Sequence, residues 1–154
     1  MMFTKIPKHT FCNTTLKKLL YVVLINIGLM NSSCASNKVP LDDIKQLQWQ
    51  HRVLIVWAES PVYTLKTLLK TAAFEIEDRD MIIFAVNDSK LETNYNGAVT
   101  ANFQKMLINT FPKSKAQYFL IGKDGGLKMT GQQLNITDVF DEIDTMPMRQ
   151  WEMR

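Results

Sequence analysis

Three uninterrupted apolar runs constrain this chain most, because each is typical of a β-strand that is buried on both faces. They are residues 53–58 (VLIVWA), 81–86 (MIIFAV) and 118–121 (YFLI). Segments with apolar residues at helical spacing lie between them, and Ser60-Pro61 predicts the start of the first long helix. The sequence therefore predicts a sheet that is covered by helices on both sides.

The later segments extend this pattern. Residues 87–97, rich in Asn, Ser and Gly, are predicted to be a loop before a second helix. Residues 123–126 (KDGG) predict an exposed hairpin turn in which both glycines have positive φ, and residues 127–130 an antiparallel strand. A last helix is expected between Asn135 as its cap and Pro147 as its stop.

The resulting order, β-α-β-α-β-β-α, predicts an α/β fold. Parallel strands joined by right-handed crossovers, then a hairpin and a closing helix, form the smallest thioredoxin-like three-layer sandwich. A flavodoxin-like fold needs five parallel strands, and the chain has too few strand-sized runs for it. We therefore predict one thioredoxin-like domain over residues 41–154.

Residues 1–34 have the layout of a secretory signal. Lysines precede a twelve-residue apolar run at 19–30, and small polar residues follow at 31–36 (NSSCAS). The run is shorter than the roughly 20 residues of a spanning helix and is apolar nearly all round, unlike a helix of a folded domain. The protein is therefore expected to be exported, as a periplasmic protein or a membrane-anchored lipoprotein.

Two cleavage positions fit this leader. Cys34 follows a box (NSS) that resembles the one before a lipidated cysteine, although an aliphatic residue is usual at Asn31. Cleavage after Ala35 is the alternative. We favour lipidation of Cys34, since a lone cysteine directly after an apolar run is otherwise hard to explain. Residues 35–40 are then a tether.

The predicted domain contains no thiol, because the only other cysteine, Cys12, lies in the leader. This excludes disulfide exchange, thiol peroxidase chemistry and cysteine metal sites, all of which need a thiolate. The sequence also has no phosphate loop, no HExxH and no glycine-rich dinucleotide motif, so we expect neither a metal nor a cofactor.

The net positive charge belongs to the leader and not to the domain. Four of the 18 basic residues precede Cys34, which leaves 14 against 15 acidic residues and a balance of −1. A nucleic-acid-binding domain needs a basic patch to neutralise phosphates, and no such patch is visible. The partners that we expect are an envelope protein or a small anionic ligand, with the membrane reached only through the lipid anchor.

Several motifs of the domain resemble those of a known family. They are Arg52, Trp57-Ala58, residues 77–80 (EDRD), residues 120–128 (LIGKDGGLK) and the ending at residues 143–153 (IDTMPMRQWEM). They resemble an uncharacterised family of bacterial domains related to the peroxiredoxin-like domain of animal secreted sushi-repeat and DRO/URB-type proteins. The resemblance implies a thioredoxin-like fold, an exported location and no established activity, and it supplies no catalytic residue.

The chain departs from thiol-active relatives of this fold at two places. Their cysteine sits where the first strand enters the first helix, and here residues 57–62 read WAESPV. The proline that thioredoxins place immediately before the third strand is displaced upstream, to Pro112. Both departures argue against a groove that works by disulfide exchange.

Five residues are candidates for a binding site. Glu59 and Ser60 occupy the redox position at a helix N-terminus, where amides favour anions, although the simpler role of Ser60 is to cap the helix. Arg79 precedes the second strand. Arg149 is expected to fold back against a carboxylate such as Asp144 or Asp80 as a structural clamp, or to form an anion or partner site with Lys123.

Two functions from different classes follow. The first is a non-catalytic binding or assembly module at the cell envelope. The alternative is a peroxiredoxin-like enzyme with a repurposed, thiol-independent site, which predicts a concave pocket at the end of the first strand. We favour the module, because the sequence offers no nucleophile with a base to activate it.

Overall fold

The structure is a computed structural model that describes residues 39–154. The predicted signal segment 1–34 with its lipidation candidate Cys34 lies outside the described residues. So does the predicted tether, apart from its last two positions.

A mixed five-stranded sheet forms the centre of the domain, in the order β3-β2-β1-β4-β5. Its strands are β1 (Arg52–Trp57), β2 (Met81–Val86), β3 (Leu91–Thr93), β4 (Tyr118–Ile121) and β5 (Leu127–Gly131). The helices are α1 (Pro61–Asp78), α2 (Ala101–Thr110), α3 (Ile136–Thr145) and α4 (Pro147–Glu152), and a 3-10 turn spans Ile44–Leu47.

The sheet separates two apolar cores, because successive side chains of a strand point to opposite faces. On one face, Val53 and Ile55 belong to a core with Phe103 of α2. On the other, Leu54 belongs to a core with Ile143 of α3 and with side chains of α1. All residues of β1 and β2 are buried, as their apolar runs predict. The α/β fold class is confirmed, and the arrangement is that expected of a thioredoxin-like sandwich.

The short strand β3 adds a chain reversal between β2 and β4. The Asn87 side chain accepts hydrogen bonds from the backbone N–H of Ser89 (3.0 Å) and Lys90 (2.7 Å), which reverses the chain so that β3 pairs antiparallel with β2. Helix α2 follows, and β4 then enters antiparallel to β1. The loop predicted over 87–97 is present except for residues 91–93, which form β3. The prediction of a parallel third strand is wrong, since this extra reversal was not foreseen.

The hairpin between β4 and β5 needs one left-handed residue. Gly125 has φ of 78° and is the only glycine with positive φ among the described residues. Asp124 accepts a hydrogen bond from the Gly126 amide at 3.0 Å, which completes the turn. The prediction that Gly126 also has positive φ is wrong.

The helix ends agree with the sequence in part. Asn135 caps α3 by accepting a hydrogen bond from the Thr137 amide, as predicted. Ser60 stands at the cap position of α1 and Pro61 follows it, but the Ser60 side chain accepts no helix hydrogen bond. Pro147 ends α3, because the residue before a proline favours extended backbone. A second short helix, α4, then begins at Pro147 where only a folded-back segment was predicted.

Candidate anion-binding site

Charged side chains meet at the end of the sheet where β1 and β2 begin and β4 ends, which we call the charged end. Helices α1, α3 and α4 also end there. Four cations and four acids form a connected set, the charged cluster: Arg52, Arg79, Lys123, Arg149, Asp78, Asp80, Asp144 and Glu152. Its formal charges balance. Three members are buried, namely Arg52, Lys123 and Arg149, with exposed fractions of 1%, 8% and 5%.

The three arginines of the cluster converge on the C-terminal end of α1. Arg79 Nη1 donates to the Glu75 carbonyl (3.2 Å), Arg149 Nη1 to that of Asp78 (2.7 Å) and Arg52 Nη1 to that of Arg79 (2.9 Å). The last carbonyls of a helix lack partners within the helix and carry partial negative charge. These hydrogen bonds give partners to carbonyls at the end of α1 and fix the orientation of the three guanidinium groups.

Asp144 ties two of these arginines together. Arg79 binds its carboxylate side-on, Nε to Oδ1 at 3.1 Å and Nη2 to Oδ2 at 2.5 Å, and Arg149 Nε reaches Oδ1 at 3.1 Å. Desolvation raises the pKa of Asp144, but these hydrogen bonds outweigh it, so the pKa lies below its ordinary value. The Arg79 guanidinium also stacks 4.7 Å from the Phe140 ring centroid.

Lys123 and Arg52 share a second carboxylate, Glu152 of α4. Lys123 Nζ lies 2.6 Å from Glu152 Oε1 and 2.7 Å from Asp80 Oδ2, and Arg52 Nη1 lies 3.0 Å from Glu152 Oε2. Desolvation raises the pKa of Glu152, but hydrogen bonds from Lys123 and Arg52 outweigh it and lower the pKa. The expectation that Lys123 lies on an exposed hairpin is wrong, because this pairing draws its side chain inward.

Arg52 differs from the other two arginines in one respect. Its Nε and Nη2 are buried and have no hydrogen-bond partner among residues 39–154. Arg79 and Arg149 both use these same two atoms to bind carboxylates. Buried guanidinium N–H groups are normally satisfied, so this unpartnered pair is an unmet hydrogen-bonding cost within the charged end.

Arg52 lies in the wall of a pocket of about 70 Å³ at the charged end, the Arg52 pocket. Two further cations, Lys123 and Lys128, and the carboxylate of Asp124 line it. The remaining wall consists of Gly122, Met146, Pro147 and Met148. Lys128 pairs with Asp124 at 2.6 Å, and hydrogen bonding from Lys128 lowers the pKa of Asp124. A small anionic group therefore meets cations on one side and apolar surface on the other.

The opposite end of the sheet, where β1 ends and β4 begins, we call the open end. Glu59 and Ser60 lie there and are exposed. A shallow groove of about 320 Å³ runs past Glu59, with Asn87, Asp88 and Lys113 among its lining residues. The backbone carbonyl of Glu59 accepts a hydrogen bond from Asn87 Nδ2 at 3.3 Å. The open end therefore has a groove but no assembled set of side chains.

The structure thus divides the five candidates. Arg79, Lys123 and Arg149 are linked through Asp144 and Glu152, whereas Glu59 and Ser60 lie at the other end of β1. The predicted contact of Arg149 with Asp144 is present.

Sequence reasoning did not select Arg52, Glu152 or Lys128 for the site. An arginine directly before a fully apolar strand was the available signal for Arg52, since a charge at that position is buried and needs partners.

Two further observations bound the chemistry of residues 39–154. No group of three or more His, Cys, Asp or Glu side chains within this range is placed to hold a metal ion. Within the same range, no helix combines the length and the apolar character needed to cross a membrane.

Comparison with known proteins gives a family and no function. No curated protein and no solved structure matches the chain significantly. The model of a family described as "Domain of unknown function (DUF4174)" matches residues 43–152, which include every member of the charged cluster. Since this match covers well over half of the sequence, the chain belongs to the DUF4174 family.

Proposed function

We propose that this domain is a non-catalytic binding module that recognises an anionic group in the Arg52 pocket. The observation that supports it is the charge of the pocket wall, in which the three cations Arg52, Lys123 and Lys128 stand against one carboxylate, Asp124. A concave site with an excess of positive charge attracts an anionic group.

The carboxylates of the charged cluster support binding over catalysis. A general acid or base works best with a pKa near the working pH. The pKa values of Asp144 and Glu152 are instead lowered, away from neutrality, by the cations that they contact. These groups stay ionised and hold arginines in place, which suits the positioning of an anion and does not suit proton transfer.

The test is an NMR titration that follows the side-chain Nε–H signals of arginine in ¹⁵N-labelled protein. The sequence has only four arginines, at positions 52, 79, 149 and 154, so assignment by substitution is practical. Titration with acetate, phosphate and sulfate is expected to shift the Arg52 signal in a saturable way. If none of these anions shifts it, the proposal is wrong.

A matched pair of lysine variants separates the pocket from general charge effects. Lys128 and Lys90 each pair with an acid, at 2.6 and 2.7 Å, but only Lys128 lines the pocket. Lys128→Gln is expected to weaken anion binding about threefold, as for one partly exposed charge. Lys90→Gln is expected to leave it unchanged, and an equal loss in both variants would point to non-specific attraction.

The alternative function is a peroxiredoxin-like enzyme with a thiol-independent site at the open end. The groove beside Glu59 favours it, since that hypothesis requires a concavity where β1 ends. Glu59→Gln is the discriminating variant. Since residues 35–154 contain no thiol to donate electrons, the enzyme hypothesis expects a redox-neutral reaction, such as hydrolysis of an ester, that this variant loses. The binding module expects no turnover in either protein.

The cellular setting is also a proposal. We infer export, with Cys34 as the lipid-bearing residue, and an envelope protein or a small anion as partner. We further propose the relation to bacterial domains and to animal sushi-repeat and DRO/URB-type proteins, on the motifs quoted above. Intact mass of the protein from membrane and soluble fractions tests the leader. A diacylated species beginning at Cys34 supports the anchor, and an uncleaved chain overturns export.

A further inference from the structure

We infer that the charged end docks on the surface of a phospholipid bilayer. The contact is made by four exposed apolar side chains, which we call the docking surface: Trp49, Met148, Trp151 and Met153. This inference rests on the lipid anchor proposed above for Cys34, and it gives the domain a membrane contact of its own. Four features support it: the exposure of the tryptophans, the strained backbone of one of them, the area of the surface, and the length of chain between the anchor and the domain.

The tryptophans of this chain are divided between the two ends of the sheet. At the charged end, Trp49 and Trp151 are 63% and 75% exposed. At the open end, Trp57 is buried and donates its indole N–H to the Phe111 carbonyl at 2.7 Å. A single exposed apolar residue needs no explanation, but several that lie together mark a surface with an apolar partner.

The short helix α4 turns two of the four side chains outward together. On one face of this helix, Arg149 is buried, and Glu152, three positions later, binds Lys123. Met148 and Trp151 are also three positions apart, so they are neighbours on a different face, which is exposed. The ion pairs on one face of α4 therefore hold the apolar side chains of the other face toward solvent.

Lys123 connects this exposed face of α4 with Trp49. The Trp49 amide donates to the Lys123 carbonyl at 2.6 Å, and the Lys123 side chain binds the helix that carries Trp151. Met148 and Lys123 both line the Arg52 pocket. The docking surface therefore borders this pocket, and a headgroup phosphate is the anionic group that a bilayer presents to it.

Trp49 has a backbone conformation that bulky residues rarely adopt. Its φ is 66°, in the left-handed region, and it follows the 3-10 turn Ile44–Leu47. Glycine is the usual residue where a helical turn ends in this way, because it has no Cβ to clash. A tryptophan there strains the backbone. Since most of its side chain is exposed, packing within the domain recovers little of this strain, and a contact outside the domain is the remaining compensation.

The area of the docking surface favours a bilayer over a second copy of the chain. A large aromatic side chain has about 150–250 Å², so four large side chains with these exposed fractions offer on the order of 300–600 Å². A stable protein interface takes about 800 Å² from each partner. The surface is too small to hold a second copy by itself, whereas tryptophan side chains suit the boundary between headgroups and acyl chains.

The length of chain before the domain keeps this surface near the membrane. Val39 follows Cys34 by five positions, so it lies within about 18 Å of the anchored residue. Val39 is itself 73% exposed, and Trp49 follows it by ten positions. At this range the docking surface meets the bilayer at a high effective concentration, so a few side chains suffice for contact.

The experiment measures tryptophan fluorescence of the protein, as the cell processes it, in phosphatidylcholine vesicles with ordinary or brominated acyl chains. Bromine quenches a tryptophan only where that side chain reaches the bilayer. Trp49 and Trp151 are expected to be quenched and the buried Trp57 is not. Trp49→Phe and Trp151→Phe are each expected to lose part of the quenching. The double variant, whose emission comes from Trp57 alone, is expected to lose all of it.

An exposed tryptophan at the open end is the matched control. Tyr63 is 70% exposed near the start of α1. Tyr63→Trp, made in the Trp49→Phe/Trp151→Phe background, is expected to escape quenching by the brominated lipid. Quenching of this variant as strong as that of the original protein would show contact without a preferred face and would overturn docking through the charged end.

The outcomes separate this inference from the proposed function. Absence of quenching at Trp49 and Trp151 overturns docking, while a shift of the Arg52 signal by free phosphate leaves the anion-binding module standing. If the recovered protein carries no lipid, it is added to the same vesicles, and docking requires the same pattern of quenching. Without vesicles, shielding of the two tryptophans from acrylamide that grows with protein concentration would show a second copy on this surface and overturn the bilayer as its partner.

Trp49→Gly tests whether the strained tryptophan serves docking or folding. Glycine adopts a φ of 66° without strain, so the variant is expected to unfold at about the same temperature as the original protein. Lipid quenching of Trp151 is expected to be weaker in Trp49→Gly than in Trp49→Phe, which keeps an aromatic side chain at the surface. A markedly lower unfolding temperature with unchanged quenching of Trp151 would assign Trp49 to the fold and remove it from the docking surface.

Discussion

The two ends of the sheet differ in how their polar and charged side chains are arranged. At the open end, α1 and α3 begin, and the polar side chains Glu59 and Ser60 are exposed and unlinked. At the charged end, α1 and α3 finish, and eight charged side chains are joined in one set. Helix C-termini carry partial negative charge, which favours arginines where α1 and α3 end. Because these arginines are largely buried, each needs an acidic partner to offset the cost of burying its charge.

This difference matters because thiol-active relatives of this fold have their cysteine at the junction of the first strand and the first helix, which here belongs to the open end. In this chain that junction lacks a cysteine, and its serine does not bond the helix that it precedes. The buried polar groups lie instead about the length of a strand away, around the start of β1. The fold therefore separates the place expected for a site from the place where side chains are assembled.

The largest predicted effect is at the charged end. Arg149→Ala removes a guanidinium that binds Asp78, Asp144 and the Asp78 carbonyl. We expect the free energy of unfolding to fall by about 3 kcal/mol, the lower end for losing one partner of a buried pair, because both acids keep partial contact with water. Urea unfolding measures it. Glu59→Gln at the open end is the control, with a change within about 0.5 kcal/mol; similar losses in both variants would remove the contrast.

Acidification gives a smaller effect at the same end. The native pKa values of Asp144 and Glu152 are lowered, so their stabilisation is complete above the unfolded carboxyl pKa of about 4 and is lost as pH falls through the native values. We expect the free energy of unfolding to decline below about pH 4. In Asp144→Asn this decline is expected to be shallower. An identical pH profile in that variant would contradict the assignment of this stabilisation to Asp144.

The smallest predicted effect compares two helix caps at the open end. Asn135→Ala removes a side-chain hydrogen bond to the Thr137 amide and is expected to cost about 1 kcal/mol. Ser60→Ala removes no such bond and is expected to change stability by less than about 0.5 kcal/mol. Thermal unfolding of the two variants measures the difference. A cost of about 1 kcal/mol for Ser60→Ala would show that Ser60 caps α1 in solution.

The apolar runs were sufficient to place β1, β2 and β4, because a strand buried on both faces needs apolar residues at every position. The three residues of β3 carry no such signal: they read LET and are only partly buried. That strand is formed by the Asn87 turn and by pairing with β2, and it adds a chain reversal before β4, which runs antiparallel to β1. Periodicity does not encode a reversal of this kind.

The sequence predicted some residues of the charged cluster but not the contacts that join them all. Arg79, Lys123 and Arg149 stand out as charges beside helix and strand ends, and the contact of Arg149 with Asp144 follows from the proline that stops α3. The partner of Lys123 and Arg52 is Glu152, which lies 29 and 100 positions away, respectively. Separations of that kind are closed by the packing of α4, and no local pattern records them.

The sequence by itself determined the fold class, the absence of thiol chemistry from residues 35–154 and the burial of the central strands, since these depend on residue type and local spacing. Only the tertiary structure decided which charges meet. Ion pairs form where chain segments far apart in sequence are packed within a few ångströms, and the cost of burying a charge depends on the partners found there. Arg52 is the clearest case: its type and position are visible in the sequence, but its unpartnered edge exists only in the folded protein.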